Sequence, residues 1–154
     1  MAEWWKRLVA IIIDGLILGV PLFILYIILI AGSISQTTID PITGEIEGGG
    51  GILGGAFLLF FLVAIAANLA YYGILNGGAA GQTVGKKVMK IQVRDANSGG
   101  PIGVGRGVGR AAIPSVAGAL CFLVSLLDGL WPLWDDKRQA LHDKVANSVV
   151  VDAA

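Results

Sequence analysis

The chain has 154 residues, 55% hydrophobic and only 14% charged, with formal net charge zero. A soluble domain would carry about 25% charge, so a water-soluble globule is disfavoured, and the balanced charge gives no global attraction to nucleic acid. A mean hydropathy of +0.77 points instead to an integral membrane protein built as one domain or a small bundle.

The first predicted element is an apolar helix over residues 8–31, long enough to cross a bilayer. Asp14 stands inside it, seven residues after Arg7. A carboxylate at that depth costs about 2.5–3.5 kcal/mol on insertion scales unless it finds a partner or a wet cavity. Asp14 is therefore the leading functional candidate, either as a fastening between helices or as a protonatable group on an ion route. Arg7 lies two turns away, about 10 Å along the axis, too far for a direct ion pair. It is expected to snorkel to the headgroups while Asp14 faces inward. The stretch exceeds the apolar core of a cleaved leader and is interrupted by Asp14 and Pro21, so a retained helix is expected. Gly15 and Gly19, four apart, predict close packing within the bundle or a homodimer face.

A polar loop with turn chemistry at Asp40-Pro41 and Thr43-Gly44 leads to the second apolar helix, residues 52–75. Asn68 lies seven residues from its end at Leu75, matching the depth of Asp14 on an antiparallel neighbour. An Asp14–Asn68 hydrogen bond is expected, because a buried polar group needs a partner.

Residues 76–110 carry Lys86, Lys87, Lys90, Arg94, Arg106 and Arg110, whereas residues 32–51 hold no lysine or arginine. The positive-inside rule puts the N-terminus and the basic loop in the cytoplasm. Gly81 to Lys87 fails as a phosphate loop, having Ala80 where glycine is required and Lys87 where Ser or Thr must follow Lys86. The glycine run from Gly103 to Gly109 misses the dinucleotide spacing. Gly81, Gln82, Gly85 and Lys86 read as a flexible interfacial loop that places basic side chains near anionic lipid. Residues 87–93 alternate as a strand does, residues 145–151 partly so, and Asn97 to Pro101 reads as a turn. Paired, the two stretches would make a small cytoplasmic β element.

The third apolar run covers residues 111–133. As one straight helix it would carry Lys137, Arg138 and Lys144 outside, against the charge rule. Broken at Pro114, Gly118, Gly129 or Pro132, it would return the tail to the cytoplasm and ease the burial of Asp128. Both geometries remain open. Cys121 reads as a small buried hydrophobe. The tail, residues 134–154, reads as solvated charge at Asp135, Asp136, Lys137 and Arg138. His142 is the lone histidine, without a well-placed serine or ligand spacing, so no enzyme activity, cofactor or metal is expected.

Arg7-Leu8-Val9-Ala10 through Ile13-Asp14, then Gly81 to Lys87, then Lys137 to Lys144 with Val149-Val150-Val151, together resemble the RDD family of bacterial membrane proteins. Arg7 matches the arginine at the head of the first helix, Asp14 the aspartate within it, and Asp143 the second aspartate. The resemblance spans nearly the whole chain. It implies a multi-pass protein of the bacterial plasma membrane with a role in transport of an unidentified ligand or in cation/proton exchange. The competing reading is a non-transporting accessory or assembly subunit of a larger membrane complex. The expected fold is an all-α membrane protein, one domain over residues 1–154, with three hydrophobic helical segments, the third either straight or broken and re-entrant, plus the small β element. Three short segments enclose little volume, so a pathway would call for a homo-oligomer or a larger membrane-protein partner beside the lipid bilayer.

Overall fold

A computed structural model describes residues 1–35, 37–120 and 122–153. Cys121, read above as a buried hydrophobe, lies outside the described residues. Helix α1 spans Trp4–Ser35 and α2 spans Gly49–Gly77, and both contain stretches long and apolar enough to cross a membrane. Ile12, Leu16 and Phe23 on α1, and Phe57 and Leu58 on α2, are each more than half exposed. Water does not sustain a continuous apolar surface of this kind, whereas lipid does.

The chain forms two compact units, Ile17–Ala66 and Met1–Leu16 with Ala67–Ala154. In the first, strands β1 (Thr38–Ile39) and β2 (Ile46–Glu47) make an antiparallel hairpin with Thr38 opposite Glu47. Its turn follows the expected chemistry: Asp40 Oδ1 accepts the Ile42 and Thr43 N–H groups at 2.7 and 3.0 Å, and Gly44 adopts φ 72°.

The second unit contains α3 (Val84–Val88), β3 (Ile91–Asp95), α4 (Val104–Leu120), α5 (Phe122–Leu130), α6 (Leu141–Val145) and β4 (Ser148–Asp152). A single 3-10 turn, Trp131–Leu133, follows α5. Strands β3 and β4 pair antiparallel with Val93 opposite Val150. Ile91, Val93 and Val150 are buried there with Ala2, Ala10 and Ile102. The expected strands start too early in the sequence reading. Lys87-Val88 closes α3 and Val145 closes α6, and each chain enters its strand only after a left-handed residue, Lys90 at φ 53° and Asn147 at φ 46°. The turn after β3 is as expected, with Asp95 Oδ1 accepting from the Asn97 and Ser98 N–H groups at 2.9 and 2.8 Å.

The third apolar run is not one rod. Arg110 and Asp128 would stand about 27 Å apart on a straight helix. Arg110 Nη2 instead lies 2.5 Å from Asp143, while Asp128 Oδ2 lies 2.5 Å from the adjacent His142. Helices α4 and α5 therefore double back, and the tail returns to the level from which α4 starts. The N-terminus joins the same face: Ala2 N–H donates to the Val150 carbonyl at 2.9 Å, and Lys6 pairs with Asp152 at 2.6 Å.

Expected close approaches at Gly15 and Gly19 are not found: a Cβ on either would meet nothing within 4 Å among the described residues. The close crossing is between α2 and α4, where a Cβ on Gly107 would come within 2.8 Å of the Gly77 Cα. The glycine run at 103–109 thus opens a packed helix.

Candidate functional site

Asp14 is 1% exposed, and three donors engage its carboxylate, reaching both oxygens. Tyr71 O–H and the Gly85 N–H donate to Oδ1 at 2.8 and 2.7 Å, and Thr83 O–H donates to Oδ2 at 2.5 Å. Thr83 is the residue that starts α3, its hydroxyl also accepting from Lys86 N–H at 3.4 Å. Asp14 therefore sits on the first turn of α3. The Asp14–Asn68 bond expected from helix depth does not form. Asn68 Oδ1 accepts from Ser115 on α4 at 3.1 Å, and Tyr71, nearly one turn further along α2, takes the place assigned to it.

Arg7 does not snorkel to headgroups. It is 8% exposed, its Nη1 donating to Asp143 Oδ2 at 3.0 Å and its Nη2 to the Val150 carbonyl at 3.4 Å. Asp143 is fully buried and also binds Arg110, with Nε 2.7 Å from Oδ1. Burial would raise the Asp143 pKa, but Arg110, then His142 and Arg7, outweigh it and hold the carboxyl well below its ordinary range. The arginine and the second aspartate of the sequence motif, 136 residues apart, are thus direct partners.

The segment read as a flexible interfacial loop is ordered and mostly turned inward. Gly81 adopts φ 63°, and its carbonyl accepts from Val93 N–H at 2.7 Å. Gln82 Nε2 donates to the Ile91 carbonyl at 3.0 Å. Gly85 packs so closely on α1 that a Cβ there would stand 3.0 Å from the Asp14 carboxylate carbon. Lys86 is buried and donates to Asn76 Oδ1 at 2.6 Å. Burial, followed by the nearby Arg110, lowers its pKa from 10.5 to about 7.

Two further residues, Asp128 and His142, join the site although the sequence reading did not pair them, and together they expose an internal repeat. Asp128 Oδ1 accepts the His142 N–H at 3.0 Å, as Asp14 Oδ1 accepts that of Gly85. Asp128-Gly129-Leu130 repeats Asp14-Gly15-Leu16, and residues 139–152 repeat residues 82–95, with Gln, Lys, Val, Val and Asp in common at Gln82/Gln139, Lys87/Lys144, Val88/Val145, Val93/Val150 and Asp95/Asp152. The geometry repeats as well. Gln139 Nε2 donates to the Ser148 carbonyl at 2.8 Å, the counterpart of the Gln82 bond. Gly81 and Arg138 are both left-handed, as are Lys90 and Asn147. Val93 pairs with its own counterpart, Val150, so a local two-fold relates the two helix–strand units. In this comparison Lys86 occupies the place of Asp143.

A cavity of about 340 Å³ opens among these elements, with Arg7, Lys86 and Arg110 on its wall together with Asn76 and His142. Much of the remaining wall is apolar, including Ile11, Ala111 and Pro114.

A family model described as "RDD family" matches residues 1–147. The chain is 33% identical to the proline-rich antigen of Mycobacterium leprae over 95% of its own length and 59% of that protein. It is 29% identical to the uncharacterized protein YxaI of Bacillus subtilis over 97% of its length and 96% of that protein. A proline-rich antigen homolog of Mycobacterium tuberculosis is 39% identical over 54% of this chain and 35% of that protein. The chain thus spans 59% and 35% of these two mycobacterial relatives, under two thirds of each. No solved structure matches it.

Proposed function

The chain belongs to the RDD family, and on that basis we propose that it is a multi-pass plasma-membrane protein, with its N-terminus cytoplasmic, that takes part in moving a small solute. The observation that carries this reading is the charged cavity at the ends of the apolar helices, on the face where the N-terminus, the basic loop and the tail meet. Lysine and arginine are concentrated in residues 76–110 and absent from 32–51, which favours the cytoplasm for that face. Asp14 acts in this reading as a lock. Its three donors come from Tyr71 on α2 and from Thr83 and Gly85 at the start of α3, so the carboxylate ties these elements to α1. The cavity receives the solute, and the pathway across the lipid is completed by a second copy or by a larger membrane protein.

That same engagement of Asp14 by three donors favours a second reading, a non-transporting accessory subunit whose polar groups serve architecture alone. Purified protein in liposomes separates the two. Transport is supported if the protein alone drives cation, proton or entrapped-solute flux across the vesicle wall. It is refuted if the vesicles stay tight and native purification brings down a larger membrane protein in fixed stoichiometry.

A further inference from the structure

We infer that the cavity beside Lys86 is a binding site for a phosphate-bearing molecule, held between the Lys86 amine and the Arg7 and Arg110 guanidinium groups. The inference rests on the solute-binding reading of that cavity and names the chemistry it would take.

Charge is unbalanced around the cavity wall. Arg7 and Arg110 share a single carboxylate, Asp143, which stands behind them and does not line the cavity. Lys86 has a neutral amide, Asn76, as its hydrogen-bond acceptor. Asp128, the acidic group on the wall, is turned to His142 and bonded through both oxygens, to the backbone N–H at 3.0 Å and to Nδ1 at 2.5 Å. Two guanidinium groups and the Lys86 amine therefore line a space in which the nearby carboxylates are already engaged. The repeat sharpens the point: Asp143 has two arginines, whereas among the described residues its counterpart Lys86 forms no ion pair with a carboxylate.

A second, independent observation points to a ligand. Among the described residues, Arg7 Nε is buried without a hydrogen-bond partner, on a side chain 9% exposed. Buried guanidinium nitrogens are ordinarily satisfied, and an oxyanion in the cavity offers the acceptor. Burial first, and Arg110 next, lower the Lys86 pKa against an opposing pull from Asp14 and Asp143. At about 340 Å³ the space exceeds a lone phosphate, and its apolar wall suits the carbon skeleton of a phosphate ester. That chemistry is shared by a soluble phosphate ester and by the headgroup of an anionic phospholipid.

The test uses the full chain and measures acylation of individual lysines by peptide mass spectrometry at about pH 8. One arm adds inorganic phosphate or glycerol phosphate to detergent-purified, lipid-free protein. The other compares the protein in vesicles of phosphatidylglycerol and of phosphatidylcholine. The expected result is saturable protection of Lys86, about tenfold or more in rate, with the exposed Lys87 and Lys90 unchanged. Protection by the soluble anions identifies a phosphate ester, and protection confined to phosphatidylglycerol identifies a lipid headgroup. Lys86→Gln, which keeps a donor for Asn76, is expected to abolish the thermal stabilisation that the same ligand gives the native chain. No selective protection of Lys86 in either arm overturns the site. Because neither measurement involves flux, a protein that binds phosphate but moves nothing refutes transport and leaves the site standing.

Discussion

Gly85 brings its backbone N–H to within 2.7 Å of Asp14 Oδ1, and nothing larger than glycine fits there. A Cβ would collide with the Ala10 carbonyl and press on the Asp14 carboxylate carbon at 3.0 Å. Gly85→Ala is therefore expected to cost about 1–3 kcal/mol through forced displacement of α3 from α1. Thermal unfolding in detergent reads this, with Val84→Ala, at an exposed neighbour, as the near-neutral control. Equal stability of the two variants would contradict the packing described.

Asp143 neutralises two buried arginines at once. Asp143→Asn leaves both charges without a carboxylate, and the expected loss is about 3–5 kcal/mol, the range for breaking a buried pair. Asp136→Asn, at an exposed position in the same tail, is expected to change stability by less than about 0.5 kcal/mol. Chemical denaturation of the two variants in one detergent supplies the comparison.

Asn68 and Asp14 belong to separate hydrogen-bond sets, one with Ser115 and the other with Tyr71, Thr83 and Gly85. In double-mutant cycles, Asn68→Ala should add to Asp14→Asn within about 0.5 kcal/mol. Thr83→Val combined with Asp14→Asn should depart from additivity by about 1 kcal/mol or more, because the two side chains are direct partners. Strong coupling of Asn68 to Asp14 would restore the pairing that helix depth alone suggests.

Lys86 also predicts a pH dependence. Its folded pKa falls from 10.5 to about 7, so the unfolded chain holds that proton more tightly. Between those values the unfolded state binds more protons, and stability attributable to Lys86 rises with pH. Below about pH 7 both states are protonated and the burial penalty is fully present. Thermal midpoints of the native chain and of Lys86→Met should therefore diverge most at neutral and lower pH, and converge toward pH 10. Asp143, with its lowered pKa, acts in the opposite direction: its contribution is full above the ordinary carboxylate range and is lost as the medium becomes strongly acidic.

The membrane helices were legible because long apolar runs leave few alternatives, and the hairpin turn at Asp40 and Gly44 because its residue types dictate local bonds. The importance of Arg7 and Asp14 could also be read, since charge within or beside an apolar run demands an explanation, whereas Asp143 was marked only by the family resemblance. Their partners could not. Arg7 meets Asp143 across 136 residues of chain, and no periodicity encodes that distance. Asn68 was misassigned because matching depth fixes height along a helix but leaves its facing direction open. The strands were placed early because Lys87 to Val93 alternates well enough for either state, and the cap at Thr83 decides for helix through Val88. The doubled Asp-Gly-Leu was the available clue to Asp128 and His142. It becomes persuasive only when combined with the Gln82/Gln139 repeat, each being too short to stand by itself.

The sequence separation between Asp14 and Gly85 has a consequence for how the protein is made. The ribosome must add 71 residues after Asp14 before its backbone donor exists, and 136 after Arg7 before the carboxylate that answers it appears. Until those residues are made, α1 meets the insertion machinery with Arg7 lacking its carboxylate and Asp14 lacking its backbone donor. Nascent chains arrested before residue 83 should be retained by membrane chaperones or removed by quality-control proteases, while chains arrested after residue 143 should escape both.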